Sequence, residues 1–447
     1  MMLAPSSSST ASSASPPTPE QVGLRGLYPP SVAHTNGTLV VDDMHTLYYE
    51  IHGQGGHPHL PEQQPFLTAL FLHGGPGAGC FPNHARFFDP NQYRIVLLDQ
   101  RGCGQSTPRG EARQNTLMDI VQDCERLRLH LGLARFDVTL GGSWGCTVAV
   151  AYAQAYPHSV GSIVLRGVCL MRPAEVDWLF SNQGGMARTS PENWKTFAAA
   201  VDSPEVHPRD ALHAYYDCLL GNDQAVRIEA ARSWMKWEFS AFTSSSNKQK
   251  QPGGGDGFYE KAYAPVAVYQ NGEWQWQDGQ GNALSIEVQR NLGLDGAACK
   301  QKVQSLRQGH TDSEQIPMSP PQTLARPLRS VEHRTLATNK LELSPEAQAF
   351  VPAQNMLTCF YSVNDRYATN NMNFLDPHRL AALRDIPCIA VQGGRDRICP
   401  VDTALDLLAQ WSQMELRIPT ESGHSMYDVA ITNELVRATD RLVNMLK

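Results

Sequence analysis

The chain carries a series of short apolar runs, each ending in a glycine-rich or polar turn. Leu70-Phe71-Leu72 leads into His73-Gly74-Gly75-Pro76-Gly77, Ile95-Val96-Leu97-Leu98 into Asp99, and Val138-Thr139-Leu140 into Gly141-Gly142. Later, Cys388-Ile389-Ala390-Val391 leads into Gly393-Gly394, and Met414-Glu415-Leu416-Arg417-Ile418 is a further strand-like run. Such runs predict short strands buried on both faces, as in a parallel sheet. Thr147 to Ala153 predicts a helix with small residues where it must pass close to that sheet. Near the start, Thr38-Leu39-Val40-Val41 and the alternating Thr46 to Ile51 predict an opening antiparallel pair, followed by a polar connection from Gly53 to Pro65. Strands alternating with helices predict an α/β fold, a mostly parallel central sheet flanked by helices.

That pattern is interrupted between about Cys169 and Phe374. Trp178, Trp194, Trp234 and Trp237 lie in helix-like stretches and predict a compact helical cap, whereas Thr243 to about Ser319 is rich in Gly, Gln, Ser and Pro. Within this insertion, Val266 to Trp276 reads as a hairpin with Asn271-Gly272 as its tight turn. The expected organisation is a core from 26 to 170, a helical cap from 171 to 374 with a low-complexity insertion near 243–319, and the rest of the core from 375 to 447. Residues 1–25 are expected to be a flexible tail, with order beginning near Tyr28. The first 20 are rich in Ser, Ala and Pro, carry no charge before Glu20, and lack the basic start and apolar run of a secretory signal. A large cap restricts access and excludes water, which favours small or end-recognised substrates over folded proteins.

Composition narrows the classes of function. With 447 residues, 41% apolar and 18% charged, the chain can bury a sizeable core. A formal charge of −7 gives no reason to expect nucleic acid or an anionic membrane as partner. No run approaches the roughly 18 apolar residues of a bilayer span. Ten cysteines without a C-x-x-C pair fit free thiols in a reducing, cytoplasmic compartment.

The chemistry begins at Gly141-Gly142-Ser143-Trp144-Gly145, a serine at a sharp strand-to-helix turn. This is where an α/β-hydrolase fold holds its nucleophile. The string alone is a weak signal, and its weight depends on an acid and then a histidine following downstream. Asp396 stands just past the strand that ends at Gly393-Gly394, and His424 follows Glu421-Ser422-Gly423. A lone Asp after a strand is commonly a cap, and a lone His commonly a packed residue. The ordered set Ser143, Asp396, His424 points instead to nucleophilic catalysis. The imidazole, which exchanges protons near neutral pH, would take the serine proton, and Asp396 would fix its tautomer. The backbone N–H groups of Trp144 and Gly75 are the expected oxyanion donors. No cofactor is required. The glycine loop lacks P-loop spacing, and neither His45 and His52 nor His57 and His59 gathers a metal-ligand set.

Several longer strings resemble the proline iminopeptidases, α/β-hydrolase peptidases that remove N-terminal proline from peptides. They are His73 to Gly77, Asp99-Gln100-Arg101-Gly102-Cys103-Gly104-Gln105-Ser106-Thr107-Pro108, Asn115-Thr116, Gly141 to Gly145, Gly393 to Pro400 and Gly423-His424-Ser425. The resemblance runs from Tyr28 to about Trp237 and from about Leu357 to the C-terminus. It implies a prolyl aminopeptidase acting on peptides with a free N-terminal proline through Ser143, Asp396 and His424, with Gly75 and Trp144 as oxyanion donors. Asp99 and Arg101 are expected to lock the loop after their strand by charge-assisted bonds.

The resemblance also implies a substrate-binding role for Glu238 as an anchor for the substrate amine, although a glutamate on an aromatic-rich helix can equally face water. A second family glutamate corresponds to Thr358, which brings no negative charge and so weakens or alters amine recognition. Glu332 compensates only if the insertion folds back. Two alternatives stay open: a carboxylesterase or amidase using the same triad on small acyl substrates, and a catalytically silent interaction protein. The sequence leaves the oligomeric state unread.

Overall fold

The structure, a computed structural model, describes residues 24–31, 33, 35–53, 66–201, 211–246, 266–270, 273–277, 283, 285, 345–368 and 373–447. Its strands are β1 (Thr35–Val40), β2 (Thr46–His52), β3 (Leu67–Leu72), β4 (Tyr93–Asp99), β5 (Val138–Gly142), β6 (Ile163–Arg166), β7 (Val266–Gln270), β8 (Glu273–Gln277), β9 (Cys388–Val391) and β10 (Met414–Arg417). They form one sheet in the order β1-β2-β4-β3-β5-β6-β9-β10-β7-β8. The run from β4 to β10 is parallel throughout, while β1 and β2 pair antiparallel at one end as the alternating pattern predicts.

The apolar runs form central strands because both faces are covered. In β3, Leu70 and Leu72 join one core while Leu67, Ala69 and Phe71 join the other, and β4 divides in the same way between Val96 and Leu98 and Ile95 and Leu97. The helices α1 (Leu117–His130) and α2 (Trp144–Ala155) cover the first face. A 3₁₀ turn at Pro82–Phe87 and the C-terminal helix cover the second.

The cap contains α3 (Pro173–Phe180), α4 (Gly185–Thr189), α5 (Pro191–Ala199), α6 (Ala211–Leu220), α7 (Gln224–Ser246) and α8 (Pro345–Ala368). Its aromatic residues hold it together. Phe197 stacks on Tyr215 with ring centroids 4.3 Å apart, Phe180 lies 4.5 Å from Trp234, and Trp194 meets Trp237 edge-on at 5.4 Å. The helix α8 packs against α6 and α7. The core then resumes with α9 (Pro377–Ala381), α10 (Val401–Gln410) and α11 (Val429–Leu446).

One element differs from expectation in its place. Val266–Gln270 and Glu273–Gln277 do pair as a hairpin, with Gln270 opposite Glu273, although Asn271-Gly272 falls outside the described residues. The hairpin does not join the cap. It adds to the sheet through Ala267 and Val266 opposite Leu416 and Arg417, covering the edge that β10 would otherwise present.

The diagnostic Asp99-Gln100-Arg101 string is structural in a more divided way than a single lock. The Asp99 carboxylate accepts from the N–H groups of Cys80 (2.6 Å) and Gln105 (2.7 Å), tying two loops together. Arg101 is buried and forms a two-pronged pair with buried Asp123, through Nε at 2.5 Å and Nη2 at 2.8 Å, and also binds Asp42.

Candidate active site

Ser143 sits between β5 and α2 with φ 56° and ψ −122°, a backbone conformation that side-chain-bearing residues rarely adopt. Its glycine neighbours make that turn possible. A Cβ on Gly145 would lie 2.1 Å from the Leu72 carbonyl oxygen, and one on Gly141 would lie 2.2 Å from the Gly145 oxygen. The Ser143 N–H donates to the Arg166 carbonyl (2.8 Å), which fixes the turn against the end of β6.

The loops after β9 and β10 bring Asp396 and His424 together. His424 Nδ1 donates to Asp396 Oδ2 at 2.7 Å, so the ring is held in the tautomer whose Nε2 is a proton acceptor. Asp396 is itself buried and oriented, accepting at Oδ1 from the N–H groups of Ile398 (2.9 Å) and Cys399 (2.8 Å) and at Oδ2 from Gln392 Nε2 (3.3 Å). Ser143 and His424 line one cavity of about 300 Å³, and the Asp396 carboxylate stands behind the imidazole, on its Nδ1 side.

Gly75 and Trp144 line the same cavity. Trp144 begins α2, so its N–H belongs to the first turn, which has no intrahelical acceptor. Gly75 has φ +118° in the loop after β3. Gln100 connects the two: its Oε1 accepts from the Trp144 indole (2.8 Å), its Nε2 donates to the His73 carbonyl (2.9 Å), and its N–H donates to His73 Nε2 (3.1 Å). His73 Nδ1 donates to the Gly74 carbonyl (2.8 Å), and burial pulls its pKa below the ordinary range, keeping the ring neutral.

On the cap side, Glu238 lines the cavity. Burial raises its pKa to about 7, against which the Trp234 indole N–H, donating at 2.8 Å, is the one stabilising partner of the carboxylate among the described residues. Thr358 also lines the cavity, but its hydroxyl is turned to the glycine loop, 2.7 Å from the Pro76 carbonyl and 3.0 Å from that of Gln354. Glu332 lies outside the described residues. Cys399 is a protonated thiol here, its pKa driven up first by a hydrogen bond to Cys169 and then by burial, and it is no competing nucleophile.

Arg166 is the participant that sequence reasoning did not single out. Its Nη1 donates to the His424 carbonyl (2.9 Å) and lies 3.1 Å from His424 Nε2, while its buried Nε has no hydrogen-bond partner among the described residues. The only available signal was its position at a strand's C-terminal end, where α/β sheets place their sites.

Among the described residues, no helix is long and apolar enough to cross a membrane. The alpha/beta hydrolase fold family matches residues 70–430. A proline iminopeptidase of Xanthomonas citri is 34% identical over 418 residues, 93% of this chain and 99% of the relative. One from Arabidopsis thaliana is 31% identical over 94% of this chain and 83% of its own length. Among solved structures, a proline iminopeptidase-related protein from Thermus thermophilus aligns with a TM-score of 0.40 at 15% identity, over 92% of this chain and 98% of that one. From the match over most of its length and these full-length relatives, the chain belongs to the α/β-hydrolase fold family and, within it, to the family of the proline iminopeptidases.

Proposed function

We propose that this protein is a prolyl aminopeptidase, with peptides bearing a free N-terminal proline as its substrates. The observation that carries the reading is one cavity lined both by Ser143 and His424, the latter bonded to Asp396, and by a carboxylate, Glu238, whose one hydrogen bond among the described residues comes from an uncharged indole. A half-buried carboxylate with no cation beside it among the described residues is costly, and a substrate ammonium relieves that cost.

Ser143 Oγ attacks the prolyl carbonyl as His424 Nε2 takes its proton. The oxyanion accepts from the N–H groups of Gly75 and Trp144, and collapse expels the leaving amine with the proton held on His424. Water then attacks the prolyl ester, its proton passes to His424 and on to Ser143 Oγ, and free proline leaves. Asp396 holds the imidazole's tautomer and stabilises its charged form throughout. Glu238 anchors the substrate amine, whereas Thr358 contributes an uncharged wall and steadies the oxyanion loop. Residues 171–374 serve as the cap, and the nine unpaired cysteines among the described residues suit a cytoplasmic setting.

The uncharged Thr358 favours one second reading, a carboxylesterase or amidase less dependent on a free amine. Comparing kcat/KM for a prolyl arylamide with those for alanyl arylamide, N-acetyl-prolyl arylamide and a short acyl ester separates the two. Dominant turnover of the free-amine prolyl substrate supports the aminopeptidase, and ester-only turnover overturns it.

A further inference from the structure

We propose that the cavity wall beyond His424 is a subsite for the second residue of the peptide, built on Phe81 and Tyr427 and suited to an aromatic or large aliphatic side chain. This rests on the aminopeptidase reading and adds a preference that the reading does not require.

The direction of the substrate follows from the chemistry. Its amine is held at Glu238 on the cap, its carbonyl lies at Ser143, and its leaving nitrogen must lie where His424 can protonate it. The chain beyond that nitrogen therefore occupies the His424 side of the cavity. Tyr427 stands there, three residues past His424, and Phe81 follows the glycine loop that carries Gly75; both line the cavity.

The two aromatic side chains are unusually open. Phe81 is 53% exposed and Tyr427 46% exposed, so neither is consumed by the core. Both are backed by other rings. Phe81 meets His84 edge-on at 5.6 Å, His84 stacks on Phe71 at 4.4 Å, and Tyr427 lies 5.9 Å from Phe87. Rings held from behind with a face open to a cavity give up little freedom when a ligand covers them.

The two rings bring no charge to this wall, and the nearby Arg86 guanidinium is engaged elsewhere, its Nε on the Tyr28 carbonyl (2.7 Å) and its Nη1 on Asn83 (3.3 Å). Burial lowers the His84 pKa to about 3, which keeps the ring neutral. Among the described residues, the charged side chains lining the cavity are Glu238, on the cap, and Arg166, whose guanidinium is turned to His424. Neither ring offers a charged partner to an acidic or basic second residue, whereas an apolar one gains burial against both rings.

The test is competition. Pro-Phe-amide and Pro-Gly-amide are mixed in one reaction, and the ratio of their consumption gives the ratio of kcat/KM independently of how much enzyme is active. Wild type is expected to prefer Pro-Phe-amide at least about tenfold. Phe81→Ala and Tyr427→Ala should each pull the ratio several-fold toward one, and any intrinsic difference between the two leaving amines cancels in that comparison. Leu129→Ala, an exposed apolar residue on α1, should leave the ratio where it was. A wild-type ratio near one with both peptides cleaved overturns the subsite and spares the aminopeptidase. A ratio that both alanine variants leave unmoved overturns its assignment to these rings. If neither peptide is cleaved although Ser143 reacts with a fluorophosphonate, the aminopeptidase reading fails and the subsite fails with it.

Discussion

Replacing Glu238 with glutamine should make the protein more stable and less active, by amounts that depend on pH. The carboxyl has a pKa of about 7 in the folded protein against an ordinary 4.5, a difference caused by burial. At about 1.4 kcal/mol per pKa unit, the ionised group costs the folded state roughly 3 kcal/mol. The sign follows from proton uptake. Between pH 4.5 and 7 the folded chain binds more protons at this site than the unfolded chain, so this site's contribution to stability falls as pH rises through that window. Below the window the group is neutral in both states and the cost is absent; above it the cost is complete. A neutral glutamine removes the cost, so Glu238→Gln should melt a few degrees above wild type at pH 8 and match it near pH 4.5. If Glu238 anchors the substrate ammonium as proposed, the same change removes a charge-assisted bond worth about 1.5–3 kcal/mol, or roughly 10- to 100-fold in kcat/KM for a free-amine prolyl substrate. Melting curves at the two pH values, run beside arylamide kinetics, read both effects. A variant less stable than wild type at pH 8, or one with unchanged prolyl kcat/KM, refutes the reasoning.

Three further perturbations test other parts of the account. Arg101→Ala removes the two-pronged partner of the buried Asp123 carboxylate, leaving it the single bond from Arg126 (3.1 Å), and should cost about 3 kcal/mol in urea unfolding; a loss below about 1 kcal/mol would mean that the pair does not matter. Gly145→Ala forces a Cβ to within 2.1 Å of the Leu72 oxygen, so the turn should no longer form and fluorophosphonate labelling of Ser143 should vanish; wild-type labelling in that variant would contradict the geometry. Arg166→Ala removes the charged donor that holds the His424 carbonyl and should slow labelling about 10- to 100-fold in folded protein, whereas an unchanged rate would show that Arg166 does not position the base.

The sequence revealed most where local chemistry alone decides structure. Gly141 and Gly145 flank Ser143 because any Cβ there would strike backbone, and that constraint is written in adjacent residues. Asp396 and His424 were legible as residues just past strand ends, which the sheet then brings to one rim. The parallel strands were visible as unbroken apolar runs because both their faces are buried. What escaped depends on distant partners. Arg166 matters through His424, 258 positions away. Gln100 was quoted within a motif, but its bridge from His73 to Trp144 spans three separate loops. The hairpin at 266–277 was readable by its alternation, yet nothing local says that it pairs with β10 rather than with the cap. At Thr358 the residue type alone implies a weakened amine site, whereas its hydroxyl contact with Pro76 exists only because the fold brings residues 282 positions apart together.

As proposed, Ser143 releases a single N-terminal proline and needs the free amine to do so. Mass spectrometry of a Pro-Phe-initiated hexapeptide and its N-acetylated counterpart, each incubated with wild type and with Ser143→Ala, tests it most directly. The account predicts free proline and a five-residue product from the unblocked peptide with wild type alone. Equal cleavage of the acetylated peptide, cleavage at an internal bond, or undiminished turnover by Ser143→Ala would contradict it.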